Sequence, residues 1–254
     1  NGVNRASIGV QSFDANIQKA INRIQPYDMT AQVISWLRKS GIDKINLDLM
    51  YGLPHQTTKM VVREAELTIG LKPTRVALFG YAHVPWMKSH QRLIDEDALP
   101  NAEERWLQFE ASSAKFIEAG YQAVGLDHFS LPNDEMSQAL NEGALHRNFQ
   151  GYTSDNAQTL IGFGASAIGQ LHQGYIQNVS PIKQYRESIT AGNLPIFRGF
   201  KLSEDDRIRG HIIERIMCDL KVDLDRVCKK FSISTESFAP EIEKLLNLSE
   251  DGIV

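Results

Sequence analysis

Residues 145–153 read Leu-His-Arg-Asn-Phe-Gln-Gly-Tyr-Thr. Within that run an imidazole, a guanidinium, two amides, two aromatic rings and a glycine stand side by side. Such a mixture suits a planar or acidic ligand, because Arg147 can meet a carboxylate as a two-pronged fork while Phe149 and Tyr152 offer ring faces. The same composition also fits an irregular loop whose polar groups serve its own backbone. A second set of polar residues recurs where apolar segments end: Gln11, Asp48 with Tyr51, Tyr81-Ala82-His83, and Asp127-His128. In α/β proteins the carboxyl ends of strands are where ligands are met, so these clusters predict one polar rim.

The elements that would position them follow from periodicity. Residues 5–11 are short and β-branched, and a helix starts near Asp14. Residues 29–39 place Ala31, Val33, Ile34 and Leu37 at helical spacing, closed by Gly41. A strand at 44–50, a loop at 51–57, a helix at 59–71, a strand at 75–80, a long loop at 81–99, a helix at 101–120 and a strand at 122–126 complete the series. Alternating strands and helices predict repeated βα units and a parallel sheet, either open and doubly wound or part of a βα barrel. No Gly-rich dinucleotide fingerprint follows any of these strands.

Beyond Thr153 the character changes. Residues 160–169 are small and apolar with three glycines, suited to close backbone approach or to a tight strand bend. A helix at 182–191 leads to three more at 205–220, 223–231 and 235–246, followed by a turn-like Asp251-Gly252. Helices ending in such a turn describe a helical, winged-helix-like domain. The predicted division is therefore 1–180 and 181–254.

The 254 residues are 42% apolar and 23% charged, with a formal charge of −4. Nothing in that balance points to nucleic acid, which leaves a basic footprint. No apolar run nears the roughly 20 residues that span a bilayer, and no signal-peptide pattern opens the chain, so a cytoplasmic location without a membrane partner is expected. The two cysteines, Cys218 and Cys228, are too few for a metal cage and read as buried thiols, and no metal ligand is assigned. Because the first residues run straight into a strand, the chain reads as cut from something longer.

Asn4-Arg5-Ala6-Ser7-Ile8-Gly9-Val10-Gln11-Ser12-Phe13, Asn22-Arg23, Asn46-Leu47-Asp48-Leu49-Met50-Tyr51-Gly52-Leu53-Pro54, Tyr81-Ala82-His83, Gly125-Leu126-Asp127-His128-Phe129 and the run at 146–153 together resemble one family, from end to end of the chain. It is the oxygen-independent coproporphyrinogen III oxidases, radical S-adenosylmethionine (SAM) enzymes of haem biosynthesis. The first motifs are shared with wider relatives, including haem chaperones, whereas the His-Arg-Asn-Phe-Gln-Gly-Tyr-Thr run is typical of the oxidases. A haem chaperone of the same superfamily, binding haem without decarboxylating anything, is the alternative, and a generic βα-barrel enzyme without iron is a third reading.

The resemblance implies the C-terminal part of a radical SAM partial βα barrel followed by a mostly helical domain. It implies oxidative decarboxylation of two propionates of coproporphyrinogen III to vinyl groups, giving protoporphyrinogen IX. The cofactors would be S-adenosylmethionine and a [4Fe-4S] cluster held by a Cys-x3-Cys-x2-Cys motif that this sequence lacks. An electron donor for the cluster and a terminal electron acceptor of unknown kind are implied as partners. Carried over by position, Gln11, Arg23, Asp48, Ala82 and Ile168 are assigned to S-adenosylmethionine. Arg147, with Tyr51, His83, His128 and Tyr152, is assigned to the substrate, and Lys88 and Arg92 are further candidates for its carboxylates. Missing the cluster cysteines, and ending before the family's C-terminus, the isolated chain is expected to be inactive and poorly folded.

Overall fold

The structure is a computed structural model and describes residues 2–250. The chain divides into two compact units, the first reaching Glu142 and the second starting at Gly143.

In the first unit the elements follow the order β1 (Arg5–Gln11), α1 (Ala15–Ala20), α2 (Tyr27–Lys39), β2 (Lys44–Tyr51), α3 (Thr58–Gly70), β3 (Arg75–Gly80), α4 (Ala102–Glu118), β4 (Gln122–Val124), β5 (His128–Ser130) and α5 (Glu135–Asn141). Four of these five helix starts carry a side-chain cap, α2 after Pro26 being the exception. Asp14 accepts from the first amides of α1, Thr57 from Met60 N, and Asn101 forms a reciprocal capping box with Glu104. β1, β2 and β3 run parallel. In β2, Ile45, Leu47 and Leu49 are buried while Lys44, Asn46 and Asp48 are partly exposed, the two-residue alternation of a strand with one face on the core. Ile45, Leu47, Leu49, Val76 and Leu78 pack with Ile34, Ala65 and Phe116. A register slip of one residue would drive Asp48 into that core, so the apolar face also fixes where the carboxylate points.

Two sequence expectations change here. The sheet order is β1-β2-β3-β5-β4, with β5 antiparallel to both β3 and β4, so the sheet is mixed rather than wholly parallel. The segment at 122–126 is a strand only as far as Val124 and takes the sheet edge, pairing with β5 and not with β3. It turns at Gly125, whose φ is +60°, and returns as β5, placing His128 inside a strand opposite Ala77 rather than beyond a strand end. α5 was not expected either; Asp134 caps it.

The second unit holds β6 (His146–Asn148), β7 (Gly151–Thr153), β8 (Ile168–Leu171), β9 (Gly174–Asn178), α6 (Ile182–Thr190), β10 (Ile196–Lys201), α7 (Glu204–Asp219), α8 (Leu224–Phe231) and α9 (Ala239–Glu250). β8, β9 and β10 form an antiparallel sheet in the order β10-β9-β8. α7 begins with a Ser203–Asp206 capping box. Ile208, Val227, Cys228 and Phe238 make the core of the helical part. Both thiols are buried and unpaired, and burial pushes Cys218 up to about 11. The helices lie where the sequence put them. The wing read at Asp251-Gly252 lies outside the described residues.

The division between units falls at 142/143, not near 180. The reason is that residues 143–153 are tied to α7: Arg215 donates to the carbonyls of Gly143 and Leu145, and the Tyr152 hydroxyl donates to Met217 O at 2.9 Å. A change of composition marks where helices become dense, whereas a compact unit is marked by such long-range ties.

Candidate functional site

On the polar face of the first sheet, the register sets Gly9 beside Asp48 and Asp48 beside Ala77, and Ser7 beside Asn46. Asp48 is thus flanked by residues with no side chain or a single methyl. Asn46 Nδ2 donates to Asp48 Oδ1 at 2.6 Å and to Ser7 Oγ at 2.9 Å, which holds the carboxylate in place. Asn46 Oδ1 is buried and has no hydrogen-bond partner among the described residues, an acceptor left for something else.

Gly9 is the centre of the arrangement. A Cβ there would stand 2.8 Å from Gln11 Nε2, 3.4 Å from Arg23 Nη2 and 3.9 Å from Asp48 Oδ2. Three of the residues assigned to the cofactor therefore converge on one glycine. Gln11 reaches it because its backbone is left-handed, with φ at 69°, where the β1–β2 register breaks. Arg23, just past α1, donates to Gly9 O at 2.6 Å, and among the described residues its guanidinium makes no second hydrogen bond.

Beneath the loops that carry these residues lies a buried polar network. Glu64 of α3 accepts from Ser12 Oγ, from Gln56 Nε2 at 3.0 Å, and from the backbone of Phe13 and Asp14. Gln108 of α4 accepts from Gly52 N at 2.8 Å and donates to Gln56 O at 2.7 Å. Gln18 donates to Ser12 O at 2.9 Å and to Gln25 O at 2.6 Å. Burial pushes the Glu64 carboxyl up to about 7, against the opposing pull of its hydrogen-bond donors. The network clamps the turns after β1 and β2, and with them Gln11 and Arg23.

The other residues singled out from the sequence fall elsewhere. Ala82 is exposed and its carbonyl accepts from Gln91 at 3.0 Å. Ile168 lies on β8, in the second unit. Tyr51 is three residues from Asp48 in one strand and so takes the opposite face, its ring against Phe109 at 5.6 Å and the Arg105 guanidinium 5.8 Å from its centroid. With Leu78, Leu126 and Asp127 these residues line a shallow groove on the helical side of the sheet. His83 bridges the Tyr81 hydroxyl at 3.2 Å and Glu96 at 3.1 Å. His128 is 2.6 Å from Asp127 Oδ1 and meets Phe79 edge-on. Lys88 and Arg92 are exposed on the loop before α4.

The polar run at 146–153 is a regular β-hairpin, not an irregular loop. His146 pairs with Thr153, Arg147 with Tyr152 and Asn148 with Gly151. Arg147, exposed, lies with its guanidinium 5.3 Å over the Tyr152 ring. Phe149 at the turn stands edge-on to Tyr175 of β9, centroids 4.9 Å apart.

Sequence reasoning passed over Gly9, Asn46, Glu64 and the α7 residues. Two carried a signal: a glycine inside a strand marks close approach, and Glu64 shares the buried helical stripe with Val61, Ala65 and Thr68.

The residues at the Gly9 cradle fit S-adenosylmethionine: a carboxylate for hydroxyl or ammonium donors, a guanidinium for a carboxylate, an amide, an orphan acceptor and room made by glycine. They do not fit a [4Fe-4S] cluster. Among the described residues no three His, Cys, Asp or Glu side chains gather to hold a metal, and both thiols are enclosed in the helical part, so none of these side chains would ligate a cluster.

Residues 1–68 match the Radical SAM superfamily. The whole chain shares its α/β fold with the coproporphyrinogen III oxidase of Escherichia coli, described as a radical SAM enzyme, at a TM-score of 0.93 and 34% identity over 99% of this chain and 58% of that one. It is 49% identical over its full length to the oxygen-independent coproporphyrinogen III oxidase of Bradyrhizobium diazoefficiens, covering 56% of that protein, and 40% identical to that of Synechocystis, covering 55%. The chain is similar to the oxygen-independent coproporphyrinogen III oxidases along its length, and it spans about half the length of the curated relatives it matches.

Proposed function

We propose that this chain is the part of an oxygen-independent coproporphyrinogen III oxidase that supplies side chains to S-adenosylmethionine and to the substrate. The reaction is oxidative decarboxylation of two propionates of coproporphyrinogen III to vinyl groups, giving protoporphyrinogen IX in haem biosynthesis. The observation that carries the reading is the convergence of Gln11, Arg23 and Asp48 on Gly9. S-adenosylmethionine held there by Gln11, Arg23 and Asp48 would supply, on receiving one electron from a reduced donor, the radical chemistry that removes a hydrogen atom from an unactivated carbon. Asp48 accepts from the ribose hydroxyls or the amino group, Arg23 pairs with the carboxylate, and Gln11 completes the polar wall. Ala82, on the loop after β3, would add a small side chain and a backbone carbonyl, and Ile168 is kept as a cofactor candidate on the motif resemblance alone.

The substrate carries propionates, and Arg147 is the cation presented for one of them: exposed, backed by Tyr152, and with no acidic side chain paired to it among the described residues. His83 and His128 are hydrogen-bonded in place, and Tyr152 supports Arg147 from beneath. Tyr51, on the helical side of the sheet, has the weakest claim to the substrate. A cytoplasmic location accords with the soluble substrate and with the fact that no helix among the described residues is long and apolar enough to cross a membrane. The relatives compared above are named oxidases, which does not favour the haem-chaperone reading.

The test is anaerobic incubation of the full-length protein with coproporphyrinogen III, S-adenosylmethionine, a reductant and a cell extract as the source of a terminal electron acceptor. Appearance of protoporphyrinogen IX is expected. Stoichiometric haem binding with no conversion would sink the proposal.

A further inference from the structure

The hairpin that carries Arg147 is too small to hold its own shape. β6 and β7 contribute three residues each, and a two-stranded ribbon of that size is marginal in water unless something else fixes it. Its turn is Phe149-Gln150, without the Asn-Gly or Asp-Gly pair that favours a two-residue connection.

What fixes it is α7. Glu214 Oε1 accepts from the Arg147 backbone N–H at 3.3 Å and lies 3.0 Å from His146 Nδ1. Its other oxygen stands 3.8 Å from His211 Nδ1 and 3.8 Å from an Arg215 nitrogen. His211 is in turn 3.3 Å from the Lys230 ammonium of α8 and packs on the Phe231 ring. Arg215, held by Asp219 at 2.9 Å, ties the chain just before the hairpin, and Met217 O receives the Tyr152 hydroxyl.

Glu214 differs from the other ties in what it holds. Arg215 and Met217 secure the approach and the second strand, whereas Glu214 takes the main-chain donor of the residue whose guanidinium faces solvent. An exposed ion pair contributes little to stability. An acceptor that fixes the backbone beneath a ligand-binding cation acts differently, because it spares that cation the ordering cost of binding.

We propose that Glu214 is a positioning residue: it sets the Arg147 main chain, and through it the guanidinium, for a ligand carboxylate. Under the functional reading above, on which this inference rests, that carboxylate is a propionate of the tetrapyrrole. Because the role belongs to an acceptor oxygen at the right reach, glutamine restores most of it, while alanine, lacking the acceptor, and aspartate, one methylene shorter, do not.

The test uses the full-length protein with coproporphyrin III, the oxidised tetracarboxylate, as probe. Affinity is read from porphyrin fluorescence and hairpin order from amide exchange over residues 146–153. Glu214→Ala and Glu214→Asp are each expected to weaken binding about tenfold and to speed exchange at Arg147 by a similar factor, the effect of losing one hydrogen bond to a charged acceptor. Glu214→Gln, which keeps the acceptor but not its charge, is expected to weaken binding and speed exchange only about threefold. If Glu214→Ala fails to fold, the aspartate variant decides the matter. The proposal is overturned if exchange at Arg147 is unchanged in the aspartate variant, or if glutamine is as damaging as aspartate. Arg147→Ala separates the two readings: wild-type porphyrin affinity in that variant removes the propionate reading, while the exchange data still decide whether Glu214 orders the hairpin.

Discussion

The Gly9 cradle and the 146–153 hairpin both present polar groups for a ligand, and they are held by opposite means. In the cradle, Asp48 and Gly9 sit in adjacent parallel strands whose inner faces are buried core. The turns that bring Gln11 and Arg23 to them are clamped by Glu64, Gln56, Gln108 and Gln18, all buried. Positions there are set by strand register and by polar groups that have no water to fall back on, so misplacement is costly. The hairpin has three residues per strand and is anchored by part-exposed groups on a helix more than sixty positions later. Its shape is borrowed, and its anchors compete with solvent. Damage to the buried clamp beneath the cradle should therefore appear in global stability, whereas loosening the hairpin should appear locally in the second unit, with binding affected where the lost tie holds the Arg147 main chain.

That contrast can be broken or sharpened in four ways. The largest effect is expected at Glu64. Its folded-state value lies near 7 against an ordinary 4.5, so its contribution is fully present below about 4.5 and is lost as pH rises through about 7. The loss between pH 5 and 8 is on the order of 3 kcal/mol. Denaturant midpoints at the two pH values measure it, and Glu64→Gln should flatten the slope. An equally steep slope in that variant would remove Glu64 from the account.

Next comes Gly9→Val. Its branched side chain would displace Gln11 and Arg23, and a shift of that kind is expected to weaken S-adenosylmethionine binding about a hundredfold. Calorimetric titration of the full-length protein reads this directly, and near-normal affinity would mean that the cradle is not the cofactor site. Asp48→Asn should cost about tenfold in the same titration, because a charge-assisted acceptor becomes a neutral one.

The smallest effect is expected at Tyr152→Phe, which removes the tie to Met217 O while leaving the ring beneath Arg147. About 1 kcal/mol of stability in the second unit should be lost, with little change in porphyrin affinity. A loss of affinity as large as that of Arg147→Ala would show that the hydroxyl, not only the ring, matters to the ligand.

How much of this was legible beforehand depended on range. β1, β2 and β3, the helices between them and the helices of the second unit lie where periodicity and capping residues put them, because those signals are local. The mixed sheet was not legible, since β5 pairs with β3 through a partner more than fifty residues away and is only three residues long. Among the site residues, motif resemblance named Gln11, Arg23 and Asp48, but the split of Asp48 and Tyr51 onto opposite faces was available from two-residue alternation alone and was not drawn. Glu64 was hidden by its residue type, a carboxylate on a stripe otherwise read as apolar.

By itself the sequence determined the parallel strands, the face that Asp48 takes, the helical character of the second unit and the presence of a polar aromatic run at 146–153. Tertiary structure alone decided that Gln11, Arg23 and Asp48 meet at Gly9, that Glu64 lies beneath their turns, and that the run is a hairpin tied to α7. The reason is physical: propensity and alternation act over a few residues, whereas a hydrogen bond from Arg147 N to Glu214 exists only once two distant segments have packed.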